Sequence, residues 1–137
     1  MSVRVLYLDS SAFVKTILDE PESHELERFL EQSSQMVSSA LLETEARRAA
    51  MRFDPRYLEV VEQRLRFISR IEVTLDILVV AGSLRPTGLR SLEAIHLATA
   101  LALGDDLDVL VTYDLRMAEA ARNLGLRVQN PGSSPLK

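Results

Sequence analysis

A chain of 137 residues with 47 % apolar content and no cysteine has the size of one globular domain. It excludes a disulfide framework, a thiolate zinc site and a cysteine nucleophile. The net charge of −4 argues against an ordinary nucleic-acid binder, which carries a basic excess, unless bound metal offsets the deficit locally. Met1-Ser2-Val3-Arg4 leads straight into a strand with no secretory apolar region, and no run approaches the ~20 residues of a membrane helix, so the cytoplasm is the expected compartment.

Val5-Leu6-Tyr7-Leu8 reads as a buried strand ending at Asp9, with Ser10-Ser11 as the natural cap of a short helix through Leu18. Pro21 opens a second helix, on which Leu26, Phe29 and Leu30 form an i, i+3, i+4 stripe. Gln35 to Ser38 is a short strand. A third helix carries Leu42, Ala46, Ala49, Ala50 and Phe53 on one face. Asp54-Pro55 restarts the chain as a fourth helix bearing Leu58, Val61, Leu65 and Ile68. Ile71 to Leu75 alternates as a strand should, and Asp76 can cap the helix after it. Arg85-Pro86-Thr87-Gly88 is a loop, followed by a strong helix from about Arg90 to Leu103 that stops at Gly104. Asp108 to Tyr113 is a strand, 115–124 a helix ended by Gly125, and Leu126 to Gln129 a last strand. Residues 1–130 are expected to form one domain and 131–137 a flexible tail. Strands alternating with helices predict a three-layer α/β/α sandwich around a small, mostly parallel twisted sheet.

Carboxylates carry the chemical signal. Asp9 and Asp114 each follow an apolar strand, and in open α/β sheets the ligand crevice lies outside the carboxyl ends of the strands. Glu93 lies in the first turn of the strongest helix, and the third helix adds Glu43 and Glu45. Acids gathered in one crevice repel one another unless a cation sits among them, which predicts a divalent metal and metal-assisted phosphodiester chemistry. Each acid also has a plainer use. Asp9 and Asp114 can cap helices, Glu93 is favoured by the helix dipole, and Glu43 and Glu45 can pair with Arg47 and Arg48. A helical wheel puts Glu43 and Glu45 on opposite flanks of the apolar face, so periodicity does not choose between them. His96 reads as a hydrogen-bonded structural residue, and Thr112 places a hydroxyl near the second strand end. The cations are almost all arginine, only Lys15 and Lys137 being lysine, and arginine forks suit phosphate oxygens.

These segments together resemble the PIN-domain ribonucleases, in particular the toxin component of VapBC toxin–antitoxin pairs. The resemblance runs through Tyr7-Leu8-Asp9-Ser10-Ser11-Ala12-Phe13-Val14-Lys15 and the segment from Ser39 to Ala49. It continues in Leu89-Arg90-Ser91-Leu92-Glu93-Ala94-Ile95-His96-Leu97-Ala98-Thr99-Ala100 and Val111-Thr112-Tyr113-Asp114, covering nearly the whole chain in order. It selects Glu45 over Glu43, because the family's second acid sits just before a short Arg-Ala stretch. The third acid is ordinarily an aspartate and is Glu93 here, one methylene longer, whereas Mg²⁺ demands near-ideal octahedral geometry at about 2.0–2.1 Å.

The resemblance implies that Asp9, Glu93 and Asp114 hold one or two Mg²⁺ or Mn²⁺ ions while Glu45 orients ligands or water. Ser10 and Thr112 would orient the carboxylates, and Lys15, Arg47, Arg48, Arg90 and Arg116 would grip RNA phosphates. It also implies a small VapB-type antitoxin and a homodimer, with an apolar groove for the antitoxin near Leu26, Phe29, Leu30, Leu58 and Val61. Two rival enzymes lack their residues: a phosphoacceptor domain needs a late lysine, and none precedes Lys137, while a haloacid-dehalogenase-type phosphatase needs Asp-x-Asp where this chain has Asp9-Ser10-Ser11. A rival of another class is a PIN-like regulatory binding module whose chemistry is weakened at Glu93.

Overall fold

The computed structural model describes residues 4–133. Its strands are β1 (Val5–Leu8), β2 (Gln35–Ser39), β3 (Ile68–Ile71), β4 (Val109–Val111) and β5 (Val128–Gln129). They form one sheet in the order β3-β2-β1-β4-β5, and every pairing is parallel. The helices are α1 (Ser10–Lys15), α2 (Ser23–Leu30), α3 (Leu42–Phe53), α4 (Leu58–Leu65), α5 (Leu75–Gly82), α6 (Ser91–Ala102) and α7 (Leu115–Asn123).

Alternation along the strands separates two helical layers. On β1, Tyr7 packs with Leu110, Leu97, Met117 and Ala120 of the α6–α7 side, whereas Leu6 and Leu8 pack with Ala12, Leu26 and Leu30 of the α1–α2 side. Phe13, Leu42, Ala46, Val61, Leu65 and Ile68 extend that second layer across α3 and α4, and α5 packs on α6 through Ile77, Ala81, Ala94 and Ala98. The expected three-layer sandwich is therefore the fold. From β1 the chain builds β2 and β3 to one side, then crosses to build β4 and β5 on the other. The carboxyl ends of β1 and β4 flank that reversal, which is where doubly wound sheets open a ligand crevice.

Several local expectations shift. The helix that Ser10-Ser11 was expected to cap is capped instead by Asp9, with Ser10 as its first residue. The strand placed at Ile71 to Leu75 lies three residues earlier, at Ile68–Ile71. Ile68 falls on the same i, i+3, i+4 series as Leu58, Val61 and Leu65 because the last turn of α4 and the start of β3 feed one core cluster, so the helical period runs on after the helix has stopped. Thr74 rather than Asp76 caps α5, its hydroxyl accepting the Ile77 N–H at 3.2 Å. Gly104 (φ 55°) and Gly125 (φ 91°) end their helical segments in the left-handed region that glycine adopts without strain. Past β5, the Pro131 carbonyl accepts the Tyr113 hydroxyl at 2.6 Å; positions 134–137 of the expected tail lie outside the described residues.

Candidate active site

The four carboxylates come from four separate elements and line one cavity of about 300 Å³, together with Ser10, Ser11, Arg90, Leu92 and His96. Asp9 arrives at the end of β1, Glu45 on α3, Glu93 on α6 and Asp114 after β4.

Asp9 is only 3 % exposed. Its Oδ1 accepts the Ala12 N–H at 2.9 Å, as the cap of α1, and the Ser11 hydroxyl at 2.7 Å; its Oδ2 accepts the Thr112 hydroxyl at 2.5 Å. Burial pushes its carboxyl up, and these three donors only partly offset that. The two hydroxyls are themselves fixed by the β4 exit, Ser11 accepting the Tyr113 N–H at 2.9 Å and Thr112 the Asp114 N–H at 3.1 Å. Asp9 therefore serves both as cap and as cavity wall. Of the two residues expected to orient carboxylates, Thr112 does so and Ser10 does not: Ser10 lines the cavity, but the hydroxyl on Asp9 is that of Ser11. Residue i+2 from a capping aspartate is where a hydroxyl can fold back onto it, a signal already present in Asp9-Ser10-Ser11.

Glu93 and Asp114 line the same cavity, and the interaction between the two carboxyls, then burial, pushes Glu93 up. Burial also pushes Asp114 up, but Glu93 and the N–H groups of Met117 and Arg116 outweigh it and hold Asp114 below its ordinary value. Glu93 also folds back, its Oε1 accepting the Arg90 N–H at 3.0 Å at the start of α6. The extra methylene is thus absorbed by a helix cap, and Oε2 lies 3.7 Å from the Arg116 guanidinium.

Glu45 is held from the opposite wall. Its Oε1 receives His96 Nε2 at 2.7 Å, and His96 Nδ1 meets the Tyr7 hydroxyl at 2.7 Å. A carboxylate acceptor requires the proton on Nε2, which leaves Nδ1 to accept from Tyr7. Burial pushes the Tyr7 phenol far up, so it stays a donor. His96, read from sequence as a hydrogen-bonded structural residue, is buried and hydrogen-bonded through both ring nitrogens, and so links a core tyrosine to a site acid. Glu43 turns away: it pairs with Arg47 at 2.9 Å and with Arg70 at 2.6 Å.

The expected cations divide. Arg90 lines the acid cavity and Arg116 approaches Glu93. Arg48 lines an adjoining groove of about 600 Å³ that shares Ser10, Ser11, Glu45 and Leu92 with the acid cavity. Lys15 and Arg47 are engaged by neighbouring acids. Lys15 also lines that groove but is tied to Glu22 at 2.8 Å and Glu20 at 3.3 Å, 4.8 Å from the Tyr113 ring centroid. Arg47 is neutralised by Glu43 and Glu62. The groove gains Arg52 instead, four residues beyond Arg48 and so on the same face of α3. Of the residues assigned to an antitoxin groove, Leu26, Leu30 and Val61 are core, leaving Phe29 and Leu58 partly exposed.

The donor set suits a hard divalent cation: all-oxygen carboxylate ligands, one of them buried with its carboxyl pushed up. Among the described residues no three acidic or histidine side chains already converge closely enough to hold an ion. Glu93→Asp shortens the side chain that caps Arg90 and is expected to cost about 1 kcal/mol of stability in urea denaturation.

Comparison with known proteins adds independent findings. Residues 6–123 match the family profile described as PIN domain. The chain is 44 % identical over 126 residues to Ribonuclease VapC46 of Mycobacterium tuberculosis, covering 92 % of this chain and 97 % of that protein. It is 40 % identical over 134 residues to Ribonuclease VapC35 of the same organism, covering 95 % and 99 %. Its fold superposes on a chain of the DNA-bound VapBC structure from Salmonella typhimurium with a TM-score of 0.72 and 26 % identity, covering 94 % of this chain and 98 % of that one.

Proposed function

The chain belongs to the PIN-domain family, among its VapC ribonucleases, and from that premise we propose that it is a Mg²⁺- or Mn²⁺-dependent endoribonuclease, the toxin of a type II toxin–antitoxin pair. The observation that carries this reading is the meeting of Asp9, Glu45, Glu93 and Asp114 in one cavity at the switch point of the sheet. Asp9, Glu93 and Asp114 would hold the ion, with Glu45 directed by His96 toward the same space. When bound, the ion supplies a water activated near neutral pH and offsets the charge building on the phosphate. The chain's own part is to keep Asp9 aimed by three donors, to hold Glu45 through His96, and to place Arg90 and Arg116 at the rim. No side-chain nucleophile is needed.

The deciding experiment is cleavage of purified total RNA in Mg²⁺, Mn²⁺ or EDTA. Discrete fragments that vanish in EDTA are the expected result. Full cleavage in EDTA would overturn the metal dependence, and no cleavage in either metal would overturn the ribonuclease.

Arg48 and Arg52 give the RNA strand its approach along the adjoining groove. The double variant Arg48→Glu, Arg52→Glu is expected to weaken RNA binding at least tenfold and to flatten the log–log salt dependence by about 1.4, two single-strand phosphate contacts at ~0.7 each. Binding titrations over a salt series measure both.

A VapB-type antitoxin is the partner this reading implies, seated so that it covers the acid cavity and brings a basic side chain to it. A homodimer is supported by α5, whose Leu75 (80 % exposed) and Val79 (74 % exposed) leave an apolar stripe facing outward. No helix among the described residues is long and apolar enough to cross a membrane, and the reading places the protein in the cytoplasm with its RNA.

A further inference from the structure

A second cavity, of about 190 Å³, lies beside the acid site. Its floor is apolar, from Pro86, Leu89 and Ala120, and its polar groups are Arg116, Glu119 and Asn123, with Gly88 at the edge. It has no lining residue in common with the acid cavity but takes the neighbouring residue in sequence at two places. Leu89 faces the second cavity where the next residue, Arg90, faces the first; Arg116 faces the second where Met117 faces the first. The Arg116 guanidinium spans the gap, 3.7 Å from Glu93. Arg116, Glu119 and Asn123 follow an i, i+3, i+7 spacing that sets all three on one side of α7, and neither Glu119 nor Asn123 has an ion pair or side-chain hydrogen bond among the described residues.

Resting on the ribonuclease reading, we propose that this cavity binds a guanine base of the RNA strand, beside the nucleotide whose phosphate is cut. The volume takes one planar ring system and leaves the sugar outside. An apolar floor accepts the face of a base, as single-strand binders do. The polar groups then choose the base. A carboxylate is acceptor-only and matches an edge with two adjacent donors, and among the four bases guanine alone offers that, at its N1–H and N2–H₂. The adjoining edge of guanine carries O6 and N7, both acceptors, and an arginine fork is what those atoms take. Adenine would set its N1 lone pair against Glu119, and uracil its carbonyls. Cytosine offers Glu119 one donor and leaves Arg116 without a matching pair of acceptors. The cavity thus pairs an acceptor for one edge of guanine with donors for the other.

The test separates this proposal from the nuclease itself. In EDTA, where no turnover is expected, the wild-type protein is titrated with GMP, AMP, CMP and UMP and followed by ¹H–¹⁵N NMR. GMP is expected to shift Gly88, Leu89, Ala120 and the Asn123 side-chain amide, roughly tenfold more tightly than the other three, and Glu119→Ala is expected to remove that preference. Glu119 is exposed, so the variant keeps its fold. Equal shifts from all four nucleotides, or none at these residues, would overturn the proposal. In cleavage mapping, wild-type cut sites are expected to share a guanine at one fixed position, which Glu119→Ala loses while still cutting RNA. RNA cut with no guanine preference would sink the pocket and leave the nuclease standing. GMP seated as described without any cleavage would sink the nuclease and leave the pocket standing.

Discussion

Asp9→Asn is expected to make the metal-free protein more stable and the enzyme inactive. Wild type keeps a carboxylate 3 % exposed among neutral donors, and burial pushes that carboxyl up. Asparagine keeps the acceptor for Ala12 N–H and Ser11, and its amide can donate to Thr112 once that hydroxyl turns, so the network survives without the buried charge. An acid pushed up on folding binds more protons folded than unfolded. Its contribution is therefore favourable below the ordinary carboxylate range and is lost as pH rises through the raised value. The gain in melting temperature should accordingly be present at neutral pH and fade toward pH 4. A divalent ion should raise the melting temperature of wild type but not of the variant. Cleavage should fall on the order of 10²- to 10³-fold, the several kcal/mol of charge stabilisation that goes with a metal ligand. A variant that is destabilised, or that cuts RNA in Mg²⁺ at close to the wild-type rate, would remove Asp9 from the role given to it.

His96→Ala is expected to be the most damaging substitution on the α6 side. It opens a cavity beneath the site and strands two polar groups, the buried Tyr7 hydroxyl and the Glu45 carboxylate, for a loss of about 3–5 kcal/mol in urea denaturation. Glu45 also loses its orientation, and outer-shell losses of this kind reduce activity roughly 10- to 100-fold. Tyr7→Phe separates the two effects. It leaves only Nδ1 without a donor, costing about 1–3 kcal/mol, while Nε2 still holds Glu45. Stability should fall with kcat nearly unchanged. If Tyr7→Phe and His96→Ala lower kcat equally at temperatures where both are folded, the histidine acts through packing rather than through Glu45.

The strand-end acids were legible because they lie at abrupt changes of pattern, an apolar strand followed at once by a polar cap. Which acid of α3 enters the site was not legible from periodicity, since Glu43 and Glu45 flank the same face. The structure decides it through Arg70 of β3, 27 positions away, which draws Glu43 outward with Arg47. The family pattern reached the same choice by register alone. Lys15 and Arg47 lie on elements leading to the site, and Glu20, Glu22 and Glu62 pair with them there. Ion pairing between separate elements leaves no trace in local spacing. The displaced β3 is a third kind of case, where two consecutive elements feed one core and the apolar period does not mark the boundary.

The hydrogen bond from Thr112 to Asp9 closes a separation of 103 residues, and it has a consequence for how the protein is made. At ~5–20 residues per second, the ribosome takes roughly 5–20 s to add the stretch between them, and until β4 emerges β1 lacks one neighbour and Asp9 one of its donors. An N-terminal fragment ending before Val109 contains three of the four acids but no β4 to order them. Prematurely ended translation products should therefore lack the assembled site, which forms only when the chain is nearly finished.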